Sequence, residues 1–248
     1  MKFGFLLLLI FSFSYSYSSY SQGLMDDKKT FTKQDTLRGS ITPERIWWDL
    51  TYYHLDINVN PTKKYISGKN TIKYKVLKAY KAMQIDLQAP LSITRVTQDD
   101  QELEVIDNGN AHFIKLIKEQ KVGTTETIVV YYQGYPKEAV NAPWDGGFSW
   151  KKDQNGNDFV ATSCQGLGAS VWWPCKDHMY DEVENMRISI TVPSHLMDVS
   201  NGRLESVIDN GTTKTYNWYV DNPINNYGVN VNIGNYAHFS EVFNGEKG

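Results

Sequence analysis

Cysteine is scarce in this chain. The two that occur, Cys164 and Cys175, form neither a CxxC pair nor a Cys/His spacing of the kind that holds structural zinc. None of His54, His112, His178, His195 and His238 falls in an HExxH arrangement, which would put two imidazoles on one helical face with a glutamate beside them. There is no Gly-x-Ser-x-Gly turn: Gly168-Ala169-Ser170 lacks the second glycine and runs into Trp172-Trp173-Pro174 rather than a helix. A cysteine nucleophile needs a neighbouring base, and none is identifiable. Gly166-Leu167-Gly168 is followed by neither lysine nor helix, which makes it a poor phosphate cradle. No basic stripe exists, and a formal net charge of −3 gives no reason to expect nucleic acid. Helical periodicity is missing as well, with no 3.6-residue repeat sustained over a dozen positions, and there is no internal repeat. His178-Met179-Tyr180-Asp181-Glu182 brings a histidine and acids together, but it reads as a solvated loop before it reads as a metal site.

What is present begins with a targeting signal. Lys2 supplies a positive end, Phe3 to Phe13 an apolar run, and Ser14 to Ser21 small residues before Gln22. Residues 1–21 are therefore expected to be a signal peptide, because the run is shorter than the ~20 apolar residues of a membrane span. The mature chain is expected outside the cytoplasm, periplasmic or secreted, with no stable span after cleavage. That compartment permits a Cys164–Cys175 disulfide, and two free thiols remain the equal alternative. Residues 22–40 are polar and aperiodic and read as a flexible leader. One folded domain is expected over 41–248.

The domain reads as all-β. Tyr53, Leu55, Ile57 and Val59 alternate with His54, Asp56 and Asn58, the period-2 signature of a half-buried strand. Ile72, Tyr74 and Val76 continue it, as do Met83, Ile85 and Leu87. Asp107 to Asn110, Asp153 to Asn157 and Asp209-Asn210-Gly211 read as hairpin turns. Ile188, Ile190 and Val192 mark another strand, which Met197 to Ser200 is expected to continue. Tyr227 to Phe239, with Val229, Val231 and Ile233 on one face, closes the series. Short strands at this spacing argue for a large, mostly antiparallel β-sandwich or curved sheet. His54 and His112 are expected on polar faces. Trp144, Phe148, Trp150, Trp172 and Trp173 cluster mid-chain and are expected to plug the core or an interface, the alternative being a sugar-stacking platform.

The segment from Cys164 to Asp177 carries the sharpest signal. Gln165-Gly166-Leu167-Gly168 leads into Trp172-Trp173-Pro174-Cys175-Lys176-Asp177, and this resembles the substrate-anchoring segment of zinc aminopeptidases of the aminopeptidase N family, peptidase family M1. Tyr53 to Val59 with Ile66-Ser67-Gly68 is similar to the first hairpin of that family's N-terminal domain, and Trp218 to Tyr227 to its closing strand and loop. The resemblance runs from about Trp48 to Phe239. It implies a β saddle packed on a separate catalytic domain, with Gln165 holding the substrate's α-amine. The family's Gly-x-Met-Glu-Asn and HExxH motifs are absent, so the resemblance implies no catalytic or metal-binding residue in this chain. Zinc would belong to the parent enzyme, the partners would be the catalytic domain and a peptide N-terminus, and the chain alone is expected to hydrolyse nothing. A free-standing secreted β module that binds peptide, carbohydrate or a partner protein is the alternative.

Overall fold

In this computed structural model, residues 30–242 and 244–245 are described. The expected signal peptide and the first part of the expected leader lie outside the described residues. Trp48–Asn60 forms β1, and its buried residues change phase along its length: Trp48 and Leu50, then Tyr53, Leu55, Ile57 and Val59. The change falls at an irregularity between Leu50 and Tyr52 in the pairing with β2 (Tyr65–Val76). One extra residue turns every later side chain to the opposite face, so the bulge keeps both apolar sets inside. β2 crosses β1 so closely that Gly68 has no room for a side chain: a Cβ there would stand 2.1 Å from the Asp56 carbonyl oxygen.

The chain continues through β3 (Ala82–Asp86), β4 (Ser92–Gln98), β5 (Gln101–Glu102), β6 (Glu104–Asn108), β7 (Ala111–Lys115) and β8 (Thr125–Gly134). After a loop come β9 (Gly147–Lys152), β10 (Asp158–Ser163), β11 (Asn185–Pro193), β12 (Met197–Ser200), β13 (Arg203–Asp209), β14 (Thr213–Val220) and β15 (Val231–Gly234). Eight strands form one sheet in the order β13-β14-β11-β1-β2-β8-β4-β5; β12-β15-β10-β9 and β3-β7-β6 form two smaller sheets. Every join in the large sheet is antiparallel except β1 with β11, which run parallel. The all-β, mostly antiparallel fold expected from the alternation is the fold observed. Trp172 and Trp173 are wholly buried, and Trp173 meets Tyr53 of β1 edge-on at 5.1 Å between ring centres. The backbone of Cys175 pairs with that of Asp86 at the end of β3.

Three local expectations are corrected. Met197 to Ser200 does not extend β11. The chain turns at Pro193, whose carbonyl oxygen accepts from the Leu196 amide (2.9 Å), and β12 joins the four-stranded sheet beside β15. Only Val231–Gly234 of the final series is a strand, although Val229, Val231 and Ile233 are all buried as read. The ordered chain also starts before Ile41. Lys33–Gly39 forms α1 and Pro43–Ile46 forms α2.

One buried side chain explains why so polar a segment is ordered. Arg45 of α2 donates through Nη1 to the carbonyl oxygens of Leu37 (3.1 Å), Arg38 (2.9 Å) and Ser40 (2.7 Å), and through Nη2 to the Asp86 carboxylate. Carbonyls at a helix end have no partner within the helix, and a guanidinium with five donors in a fixed fork satisfies several at once. At the other end, Gln34 donates to the Asn108 carbonyl and accepts from the Asn110 amide, both at 2.9 Å. α1 is thus strapped to β3 and to the β6–β7 turn.

Candidate functional site

The loop after β10 is a tight reversal. The Cys164 carbonyl oxygen accepts from the amides of Leu167 (3.0 Å) and Gly168 (2.9 Å), which leaves Gln165 and Gly166 exposed at its outer corner. Gly168 sits at φ +79, and a Cβ there would lie 2.5 Å from Asp177 Oδ2 and 2.7 Å from Arg38 Nη2. Both conditions call for glycine. Asp177 returns to cap the turn that follows, accepting from the amides of Ala169 (3.3 Å) and Ser170 (3.2 Å) and from the Ser170 hydroxyl (2.6 Å). The preceding loop is fixed likewise. Asp145 accepts from the amides of Val140 (2.6 Å) and Asn141 (2.9 Å), and its carbonyl accepts from the Ser163 hydroxyl (2.5 Å).

These two loops, the end of α1 and Tyr227 enclose a cleft of about 430 Å³, lined in part by Gln165, Cys164, Pro143 and Arg38. The Gln165 side chain makes no hydrogen bond among the described residues, so its carbonyl and amide are free to meet a ligand. Among the described residues no carboxylate lines the cleft, and Arg38 brings its one full charge. Arg38 stands 4.0 Å from Asp177, whose oxygens are already committed to the turn it caps.

Behind the cleft lies a buried cation. Lys176 Nζ donates to the Trp48 carbonyl (2.7 Å) and to Asp181 (2.5 Å), 3.9 Å over the Trp48 ring and 4.7 Å over that of Tyr180. Burial pulls its ammonium down to about 8, against the opposing pull of Asp181. Its amide donates to the Tyr53 hydroxyl, and its carbonyl accepts from Asn226 (2.7 Å). That last bond anchors the turn Asn226–Gly228 and so places Tyr227 on the cleft rim.

The other sequence candidates sort out by environment. Cys164 and Cys175 are free, buried thiols; burial pushes Cys164 up to about 11 and Cys175 well above its ordinary value. Of the two readings left open, this is the free-thiol one. Ser170 is buried, donates to Asp177 and accepts from Gln88 (2.9 Å), so it is structural. His178 is held by the Gly39 carbonyl and the Tyr180 amide. His54 is half-buried against the Ser189 hydroxyl (2.9 Å). His112, expected on a polar face, is instead buried: its Nε2 meets the Leu87 carbonyl (3.1 Å) on the inner side, and its Nδ1 meets the largely exposed Asp107 carboxylate (2.7 Å) across the hairpin. Phe148, Trp172 and Trp173 are core, whereas Trp144 is 80% exposed. Among the described residues no group of three or more His, Cys, Asp or Glu could hold a metal ion.

The profile of the peptidase M1 N-terminal domain matches residues 50–227, well over half of the chain. The chain belongs to that family. Solved structures share the fold of this M1 N-terminal domain. The M1 zinc metallopeptidase from Deinococcus radiodurans has a TM-score of 0.65 and 18% identity over 79% of this chain and 44% of its own. A variant of that enzyme bound to a Tyr-Ser-Ala substrate gives the same figures. Leukotriene A4 hydrolase from Saccharomyces cerevisiae has a TM-score of 0.58 and 17% identity, over 75% of this chain and 29% of its own. The chain therefore spans less than half the length of these enzymes. No curated protein matches it. Zinc, which their names imply for the family, finds no fitting ligand set among the described residues of the M1 domain. Arg38 and Tyr227 were not singled out from sequence: Arg38 lies in an aperiodic segment, and Tyr227 reaches the cleft only through Asn226.

Proposed function

We propose that this M1 N-terminal domain anchors substrate in an extracytoplasmic zinc aminopeptidase that removes N-terminal residues from peptides. The observation that carries the reading is Gln165: a side chain with no internal partner, held at the corner of a braced loop on a cleft. Its carbonyl oxygen can accept from a peptide's α-ammonium, a charge-assisted bond of roughly 1.5–3 kcal/mol. Fixing the ammonium fixes the distance to the first peptide bond, which favours cleavage after one residue over cleavage further along. Zinc and the general base would come from the catalytic domain of the parent polypeptide, and the cleft would open toward that domain. The short apolar run at the N-terminus supports export.

The test is capture of the native protein from its source with an antibody against this chain, followed by intact mass and an aminopeptidase assay. A mass several-fold larger, with chelator-sensitive release of N-terminal residues and a raised KM in a Gln165→Ala variant, supports the reading. A mass matching the processed chain, with no turnover, sinks it. So would turnover by the isolated chain, whose described residues offer no ligand set for the metal.

A further inference from the structure

The charge of the cleft is unexpected for a site that takes an ammonium. A pocket for a cation is usually lined by carboxylates, yet among the described residues no carboxylate lines the wall and an arginine does. Arg38 is not a stray surface side chain. Its own carbonyl is gripped by the buried Arg45 guanidinium at 2.9 Å, which fixes where its side chain starts. Its guanidinium lies against Gly168, where a Cβ would come within 2.7 Å of Nη2, so the loop that presents Gln165 also seats Arg38. The nearest carboxylate, Asp177, is 4.0 Å away and accepts three hydrogen bonds from Ala169 and Ser170. Among the described residues Arg38 has no closer ion pair or hydrogen bond to a side chain, and 42% of its side chain faces solvent. It is a positioned cation with donors to spare on the wall that holds Gln165.

We propose that Arg38 is a specificity residue that accepts a substrate carboxylate, so that the cleft prefers peptides with an acidic N-terminal residue. The inference rests on the reading of Gln165 as the ammonium acceptor. In aspartate or glutamate at a peptide's N-terminus the α-ammonium and side-chain carboxylate are a few bonds apart, and one cleft with a neutral acceptor and a guanidinium serves both. Guanidinium geometry suits carboxylates because two parallel N–H donors meet two oxygens. The adjacent charge also disfavours lysine or arginine at that position by like-charge repulsion.

The full chain is titrated with Glu-Ala-Ala-Ala-amide and Gln-Ala-Ala-Ala-amide, isosteric peptides without a C-terminal carboxylate, and amide NMR shifts are followed. The glutamate peptide is expected to bind about tenfold tighter, the scale of one charge-assisted hydrogen bond, and the margin should shrink with added salt. Arg38→Met should abolish the difference between the two peptides, and Arg38→Lys should restore part of it. Gln165→Ala should weaken both peptides alike. Equal binding of the two peptides to the unaltered chain overturns the Arg38 assignment and leaves Gln165 standing. A preserved preference with no effect of Gln165→Ala overturns the anchoring role instead. No shift with either peptide overturns both. If free Ala-Ala binds as tightly as the glutamate peptide, the recognised carboxylate is the peptide's C-terminus and the preference for an acidic first residue fails. A thermal melt of each variant guards against misfolding; Arg38 is half-exposed and its strap runs through its backbone, so the melts should match.

Discussion

Arg45→Met should be far more damaging than its place in a four-residue helix suggests. The substitution keeps the volume of the stem but removes every donor. Asp86 then stays buried with only Gln84 (2.8 Å) and the Asp177 amide (3.2 Å) for partners, the carbonyls of Arg38 and Ser40 lose theirs, and that of Leu37 keeps only Gln84 (3.2 Å). Breaking a buried ion pair by deleting one member costs about 3–5 kcal/mol, because the remaining charge is left uncompensated. For a domain of this size that is a fall in Tm of roughly 10 °C. The pH dependence identifies the cause. Burial already raises the Asp86 carboxyl above its ordinary value, with Arg45 the main opposing influence. Without Arg45 the folded-state value rises further, so the protonated form is favoured in the fold. The penalty is then full at neutral pH and relieved as pH falls through the folded value. Urea melts from pH 7 down to pH 5 should show the gap between variant and wild type narrowing, and Arg45→Met/Asp86→Leu should recover much of the loss. A variant within about 1 kcal/mol of wild type, with a gap indifferent to pH, would refute the clamp.

Two other sites give separable readouts. Lys176 has a folded-state value of about 8 against an ordinary 10.5, so between these the unfolded chain binds more protons and wild-type stability should rise with pH relative to Lys176→Met. The full difference is up to about 3 kcal/mol, and parallel urea titrations of the two proteins from pH 7.5 to pH 10 check it; parallel curves would count against the buried-ammonium account. Gly168→Ala combines a left-handed backbone with a contact on Asp177, which must shift and release the Ala169 and Ser170 amides. A loss of about 2–4 kcal/mol in thermal melts is expected, and the shift pattern of the glutamate peptide should be disturbed along with it.

The strands were legible because burial writes itself into alternation. Tyr53, Leu55, Ile57 and Val59 could face only one way, and the hairpins around Asp107–Asn110 and Asp153–Asn157 carry their own turn chemistry. What escaped depends on partners far along the chain. Lys33–Gly39 looks like a leader because its order comes from partners outside it, Arg45 at one end and the β6–β7 turn that Gln34 meets at the other. His112 looks polar until the Leu87 carbonyl, 25 residues earlier, is placed against its inner nitrogen. Met197–Ser200 reads as an extension of β11 because periodicity is blind to a turn that changes sheets. At the site, the glycine-punctuated loop pointed to Gln165, but nothing local announced that Arg38, more than a hundred residues earlier, shares its cleft.

The single parallel join has a consequence for how the chain comes to be folded. β1 is among the first strands made, yet it lies mid-sheet, and one of its edges is closed only by β11. At ordinary rates of synthesis that edge waits on the order of ten seconds for Asn185 to Pro193 to be made. Meanwhile β1 and β2 can form only half of a sheet, with the Tyr53 to Val59 ladder open to pairing with any other extended chain. Shortened products that end before Asn185 would keep that edge for good, and aggregation rather than a smaller soluble domain is their expected fate.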